Sequence, residues 1–349
     1  VQLLSTVHEN LLSPLILFFF LGVLASIVRS DLEFPRDVAR GLLLYLLIAI
    51  GFEGGVNLAR SGITPKVLSA GTVGAGFGLL FPVIAFIILR NITDATNAAA
   101  IAAQYGSISA VTFVTATAFL SGMGVPYEPF MVALMAVMES PAIASGIFLA
   151  RRYGRLPQPH VAATSAHSWR FSSEVAGKGF WPGLGLNQAL VREVFLNSSI
   201  VLLTGSLLIG FATGDRGLSI VKPVLVDPFK GVLTFFLLEM GLVAGRGLGE
   251  FRRLGVPLSL FGVLMPVFGG LAGAIAGALL DLTLGGTTLL AVLSGSASYI
   301  AVPAAMRMAL PEANPSLYLT MSLGITFPFN VIVGIPLYYH LSRFLTDLF

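Results

Sequence analysis

Apolar residues run through this chain in blocks of about twenty, separated by short clusters of Gly, Pro, Asn and charge. Reading for blocks long enough to cross a bilayer predicts ten helices, at roughly 11–28, 37–59, 65–90, 95–121, 127–150, 195–213, 228–246, 255–280, 284–310 and 315–345. The longest polar interruption, 151–193, carries Arg151, Arg152, Arg155, Pro157, Pro159, His160, His167, Arg170 and Lys178. It divides the chain into a first five-helix repeat (1–150), a basic linker (151–193) and a second five-helix repeat (194–349).

The two halves repeat each other. Phe77-Gly78-Leu79-Leu80-Phe81-Pro82-Val83 returns as Phe261-Gly262-Val263-Leu264-Met265-Pro266-Val267, 184 residues on. Gly106-Ser107-Ile108-Ser109 returns as Gly295-Ser296-Ala297-Ser298, at 189. Glu53 and Arg60 return as Glu239 and Arg246, at 186. Matches in one order with nearly one offset point to duplication, and in an apolar chain to a transporter whose substrate site lies between the repeats.

Composition fits lipid as solvent. Of 349 residues, 56% are hydrophobic and 11% charged, against about 25% charged in soluble domains. With no cysteine, disulfides, thiolate nucleophiles and cysteine metal sites are excluded, and a net charge of +3 gives no sign of nucleic acid. The first apolar run lacks the basic start and small-residue cleavage pattern of a signal peptide. Placing the linker in the cytoplasm puts fourteen of the twenty Lys and Arg residues on that side, so the positive-inside rule predicts an inner-membrane, multi-pass protein with both termini outside. An odd number of helices per half then sets the repeats in opposite orientations. The predicted fold is an all-α polytopic membrane protein of two inverted five-helix repeats.

The fourth and ninth predicted helices each carry Gly-Ser-x-Ser in mid-span: Gly106, Ser107 and Ser109, followed by Thr112, and Gly295, Ser296 and Ser298, followed by Tyr299 and Pro303. Glycine and serine are weak helix formers, and Pro303 suits the first turn of a second half-helix. Both helices are therefore expected to break and cross at the midplane. The N-terminus of each second half-helix presents free N–H groups and about half a positive charge, so two such ends make an anion site without lysine or arginine. Close packing of small residues is the plainer reading of the same pattern.

Glu139 lies inside the fifth span beside Ser140-Pro141. A buried carboxylate near carbonyls freed by proline suits a hard cation such as sodium; a protonated acid bonded between helices is the alternative. Thr326 and Asn330 flank Pro328 at the matching place in the tenth span and offer neutral oxygens. Glu53 with Arg60 and Glu239 with Arg246 read as structural polar pairs, two turns apart on one helix face. His8, His160, His167 and His340 have no metal-ligand spacing, and Trp169 and Trp181 mark an interfacial stretch of the linker.

The chain resembles the sodium-dependent bicarbonate transporters of the SbtA type. The likeness covers nearly everything but the linker and is strongest over 291–319, with Pro303, Arg307, Pro311, Ala313-Asn314-Pro315-Ser316 and Tyr318; Tyr105-Gly106, Ser109, Thr112, Tyr127-Glu128 and Glu139-x-Pro141 carry it in the first half. The resemblance implies crossed broken helices, a homotrimer, and sodium-driven uptake of a small anion, with bicarbonate between Gly106 to Thr112 and Gly295 to Pro303. Two positions depart from it. Ser296-Ala297-Ser298-Tyr299 stands where the bicarbonate transporters have Ser-Ser-Ser-Asp, and Glu139 stands where Asp is usual. The linker lacks the long acidic stretch of those proteins, although its basic charge allows a soluble regulator.

Together these readings predict a secondary active transporter, not an enzyme, performing sodium-coupled symport of a small anion, with sodium as coupling ion and no other cofactor. A cation/proton antiporter on the same plan would need an acid at the crossing, where this chain has hydroxyls and Tyr299. A symporter of a small organic carboxylate would use the same anion site. An intramembrane hydrolase would need a nucleophile and base, and no histidine lies deep in a span.

Overall fold

The computed structural model describes residue 6 and residues 11–62, 64–153, 198–310 and 312–348. Most of the linker, with both tryptophans, His160 and His167, lies outside the described residues, as does His8. Helix is the regular secondary structure among the described residues.

Eleven helices follow in order. α1 (Pro14–Ile27) starts on Ser13, whose hydroxyl caps the Ile16 amide, with Pro14 in the first turn. α2 (Arg36–Ser61) stops at Gly62, whose φ of 74° suits glycine. α3 (Pro65–Leu89) carries Pro82 in its interior. α4 (Ala95–Gly106) and α5 (Ala110–Gly122) are the two parts of one broken span. α6 (Met131–Tyr153) contains Pro141. α7 (Ser198–Leu225) turns at Gly214, and the long α8 (Phe229–Leu279) turns at Gly255, both with positive φ. α9 (Leu284–Ser294) and α10 (Ala301–Ala309) form the second broken span. α11 (Pro315–Thr346) holds two π-helical stretches, Thr320–Thr326 and Asn330–Gly334.

Six of the resulting segments are long and apolar enough to cross a bilayer: Asp37–Arg60, Pro65–Leu89, Ala95–Gly122, Met131–Tyr153, Gly255–Leu279 and Pro315–Thr346. The count differs from the predicted ten for physical reasons. α1 has 14 residues, about 21 Å of helix, short of the hydrocarbon thickness. The ninth predicted span is divided into helices of 11 and 9 residues. No loop separates the seventh from the eighth; the chain turns at Gly255 inside what is otherwise continuous helix. The outer faces of α1, α3, α7 and α8 expose Leu24, Leu68, Leu208, Ile209 and Leu264, each more than half accessible. An apolar girdle of that extent requires lipid, and the protein is a multi-pass membrane protein.

Glycine sets two tight helix crossings. A Cβ on Gly22 or Gly241 would strike the Leu238 or Phe19 carbonyl, which locks α1 onto the first part of α8. A Cβ on Gly210 or Gly55 would strike the Phe52 or Leu207 carbonyl, locking α7 onto α2. Each contact has a counterpart 186 to 188 residues away in the other half: Gly55 with Gly241, Gly22 with Gly210, Phe19 with Leu207, Phe52 with Leu238.

The polar pairs differ from the sequence expectation. Arg60 binds Asp215 and Asn57, not Glu53, and Arg246 approaches Glu33 at 3.9 Å, not Glu239. A seven-residue spacing places two groups on one face but about 10 Å apart along the axis, beyond hydrogen-bond reach, so loop acids reach each Arg first. Each Glu still lies within electrostatic reach of its Arg, and Glu53 also lies near Tyr127, whose half-buried phenol is pushed up to about 12 by burial and by that carboxylate.

Candidate functional site: the crossing of two broken helices

Both breaks fall where Gly-Ser-x-Ser predicts them. α4 ends at Gly106, Ser107 to Ser109 are extended, and α5 begins at Ala110. α9 ends at Ser294, residues 295–300 are irregular, and α10 begins at Ala301 with Pro303 in its first turn. Proline in the neighbouring helices holds each break. A Cβ on Gly106 would strike the Pro82 ring, and one on Gly295 would lie 2.7 Å from the Pro266 carbonyl oxygen. The two most conspicuous sequence repeats, the Pro-bearing motif and Gly-Ser-x-Ser, thus touch each other within each half.

The breaks are tied together by backbone. The Ser109 amide donates to Ser296 Oγ at 3.0 Å, and the Ser298 amide donates to the Gln104 carbonyl at 3.0 Å. Ser296 Oγ donates in turn to the Leu293 carbonyl at 2.9 Å. Ser109 caps α5, its Oγ accepting from the Thr112 amide at 3.2 Å and lying 2.9 Å from Thr112 Oγ1. Ser298 Oγ lies 3.4 Å from the Val302 amide, a looser cap on α10. The amides of Ala110 and Ala301, first residues of the two half-helices, have no acceptor among the described residues.

Those two ends open on one small cavity of about 20 Å³, lined by Ser109, Ala110, Glu139, Ser298, Tyr299 and Ala301, with Leu43, Leu47 and Leu203 on its far wall. The space suits a water molecule, so the site is closed in this conformation. Glu139 is buried and lines the same cavity. The Tyr299 hydroxyl faces Ser109 without reaching hydrogen-bond geometry, within electrostatic reach of Glu239. The Tyr299 ring packs edge-on to Phe327, centroids 5.6 Å apart.

The predicted residues therefore divide. Ser109, Ser298, Tyr299 and Glu139 share the cavity. Thr112 and Ser296 shape its walls through the bonds above. Gly106 and Gly295 provide close approach, and Ser107 is buried with its hydroxyl unpartnered. Thr326 and Asn330 lie elsewhere. Thr326 Oγ1 donates to the Gly262 carbonyl and meets the Tyr105 hydroxyl, both at 2.7 Å. Asn330 donates to the Gly295 carbonyl at 2.8 Å and accepts from Tyr338 at 2.9 Å. They brace the breaks from α11, where Pro328 and Pro336 accompany the π stretches.

Sequence reasoning missed Gln104. It is fully buried, its carbonyl joins the two breaks, and its side-chain amide is unpartnered. A lone glutamine in an alanine-rich helix was the available signal. It also missed the distant anchors. Glu128 accepts from the Thr283 amide at 2.6 Å and its hydroxyl at 2.9 Å, placing a negative charge at the start of α9. Asn97 Oδ1 accepts from the Asn314 amide at 2.7 Å.

Compared with known protein families, the chain matches the model of the Na+-dependent bicarbonate transporter superfamily over residues 14–343. No curated protein gave a match.

Proposed function

The chain belongs to the Na+-dependent bicarbonate transporter superfamily, and from that premise we propose that it is a secondary active symporter that moves a small anion, bicarbonate first, with sodium. The observation that carries this reading is the convergence of two half-helix N-termini, with free amides on Ala110 and Ala301, on a cavity that Glu139 also lines. Helix-end amides favour an anion by dipole and hydrogen bond while leaving it free to depart, which transport requires. A carboxylate in the same cavity repels that anion unless a cation binds with it. Sodium is the natural third charge, with Glu139 as ligand, while the Ser109 and Ser298 hydroxyls supplement the helix-end amides toward the anion. Tyr299 offers the anion a hydrogen-bond donor without charge. Gly106, Ser107, Thr112, Gly295 and Ser296 belong to this site as its backbone. Thr326 and Asn330 act on it from behind through Tyr105 and Gly295.

The reading includes ten helices in two inverted repeats, supported by the sequence offsets and by the paired glycine crossings. It includes an inner-membrane location with both termini outside and a soluble regulator at the linker, both from the placement of basic charge, and a homotrimer, from the family. A cation/proton antiporter would use Glu139, which lines the cavity, as its proton carrier; the family match supports bicarbonate transport instead.

The test is uptake of radiolabelled bicarbonate into proteoliposomes, with acetate, pyruvate, sulfate and chloride as competitors. A sodium gradient should drive accumulation, and uptake indifferent to it overturns the coupling. Glu139→Gln removes a charge at nearly constant volume and should shift half-maximal sodium upward. An unchanged sodium curve makes Glu139 a structural acid.

A further inference from the structure

A second, far larger cavity lies at one end of the helix bundle. It has a volume of about 540 Å³ and separates α5 from the starts of α1 and α8. Ser13, Thr115, Phe119, Met123, Lys230 and Thr234 line it. Three features distinguish it from a gap filled by lipid tails.

The first is its course. Met123, Phe119 and Thr115 stand four residues apart, on one stripe of α5 and the turn that ends it, and that stripe continues through Thr112 to Ser109. Thr115 is one turn, about 5 Å, beyond Thr112, and Thr112 Oγ1 contacts Ser109 at the crossing. The cavity therefore ends six residues along the helix from Ser109 at the closed site, about 9 Å. The second is charge. Arg60, Lys66 and Lys222 are each held by an aspartate, namely Asp215, Asp281 and Asp227. Lys230 enters none of the ion pairs of the described residues, so its full charge stands over the crevice. The third is polarity. Thr115 and Thr234 each donate to a carbonyl of their own helix, Val111 and Lys230, and keep oxygen lone pairs for water.

We propose that this crevice is the water-filled vestibule by which the anion reaches the crossing, with Lys230 as the charge that collects it. The proposal rests on the transport reading for the identity of the anion, but not for the existence of the vestibule. A fixed cation at the mouth of a low-dielectric crevice raises the local concentration of small anions and repels cations. Thr115 stands at the end nearer the crossing, and Phe119, one turn farther out, meets the Tyr339 ring edge-on with centroids 5.9 Å apart.

The protein contains no cysteine, so single cysteines report water access directly. Ala118→Cys, Met123→Cys and Thr234→Cys would be made in the full chain in lipid vesicles. Each would be exposed to a membrane-impermeant anionic methanethiosulfonate and to its cationic trimethylammonium counterpart. Leu208→Cys on the lipid face of α7 is the silent control. The expected result is labelling at all three crevice positions from one side of the membrane, faster with the anionic reagent. Adding Lys230→Ala should reduce the ratio of anionic to cationic rates by roughly fourfold, the effect of one charge across about 10 Å of water. Two of the three cysteine variants suffice if one fails to fold. Labelling in detergent but not in vesicles would show an acyl chain in the crevice and overturn the proposal. A rate ratio unmoved by Lys230→Ala would overturn the role of the lysine. Protection of the cysteines by bicarbonate plus sodium tests the transport reading separately. Its absence beside charge-selective labelling would leave the vestibule and reject the substrate.

Discussion

Ser109 and Ser298 occupy matching positions in the two repeats, yet the structure gives them unequal work. Ser109 caps α5 with a 3.2 Å bond and contacts Thr112, whereas Ser298 is 3.4 Å from the amide it could cap. Alanine at 298 should lower anion affinity by up to about tenfold, the value of one neutral hydrogen bond, with little loss of stability. Alanine at 109 should add the loss of a cap, about 0.5–2 kcal/mol, and so lower the melting temperature as well. Equilibrium binding and thermal unfolding on both variants separate the effects. Equal melting temperatures would mean that the Ser109 cap is dispensable, and unchanged affinity in both would remove the hydroxyls from the site. Both serines were legible in the sequence because Gly-Ser-x-Ser occurs twice. Gln104 was not, since nothing in a local pattern says that its carbonyl will meet a residue 194 positions away.

At the scale of elements, the outer half-helices α4 and α9 each start on a side-chain cap, Asp94 and Thr283. Asp94 starts α4, accepting from the amides of Thr96 and Asn97 at 3.1 and 3.0 Å and from the Asn97 side chain. Burial works to raise its pKa, but these hydrogen bonds outweigh it and hold the carboxyl below its ordinary 3.8. A depressed folded-state pKa means stability that is present above the unfolded value and lost as pH falls through the folded one. The Asp94 cap should thus act fully from about pH 4 upward. Asp94→Ala should cost about 1 kcal/mol at neutral pH, and this difference should shrink below pH 4. Thermal unfolding of both proteins at pH 3 and pH 7 checks it; a constant difference would mean that the cap does not depend on the charge of the carboxylate. The breaks themselves were readable from glycine, serine and proline. The π turns of α11 were not, because they arise where Thr326 and Asn330 are drawn toward Gly262 and Gly295 in other helices. A sequence window around Pro328 suggests ligands there; the fold uses the same oxygens as braces.

For the whole molecule, duplication was the strongest signal in the sequence, and its consequence is a division of labour. α1 with the first part of α8, and α2 with α7, meet through glycines that admit no Cβ, so those helices form a stiff frame. The broken helices pack with α3, α6, α11 and the second part of α8, and the closed cavity lies where they face Leu43, Leu47 and Leu203 of the frame. A cavity of about 20 Å³ cannot pass a four-atom anion, so turnover requires the crossing to move relative to that apolar wall. A protein without cysteine allows this to be tested cleanly. Leu203→Cys on the frame and Ile300→Cys beside the crossing both line the cavity, so a short bifunctional thiol reagent should join them. Each single variant should still transport. The joined double variant should lose uptake to background and regain it when a reducible cross-link is cleaved. Transport that persists through the cross-link would mean that the site opens by side-chain motion alone, with the broken helices fixed against the frame.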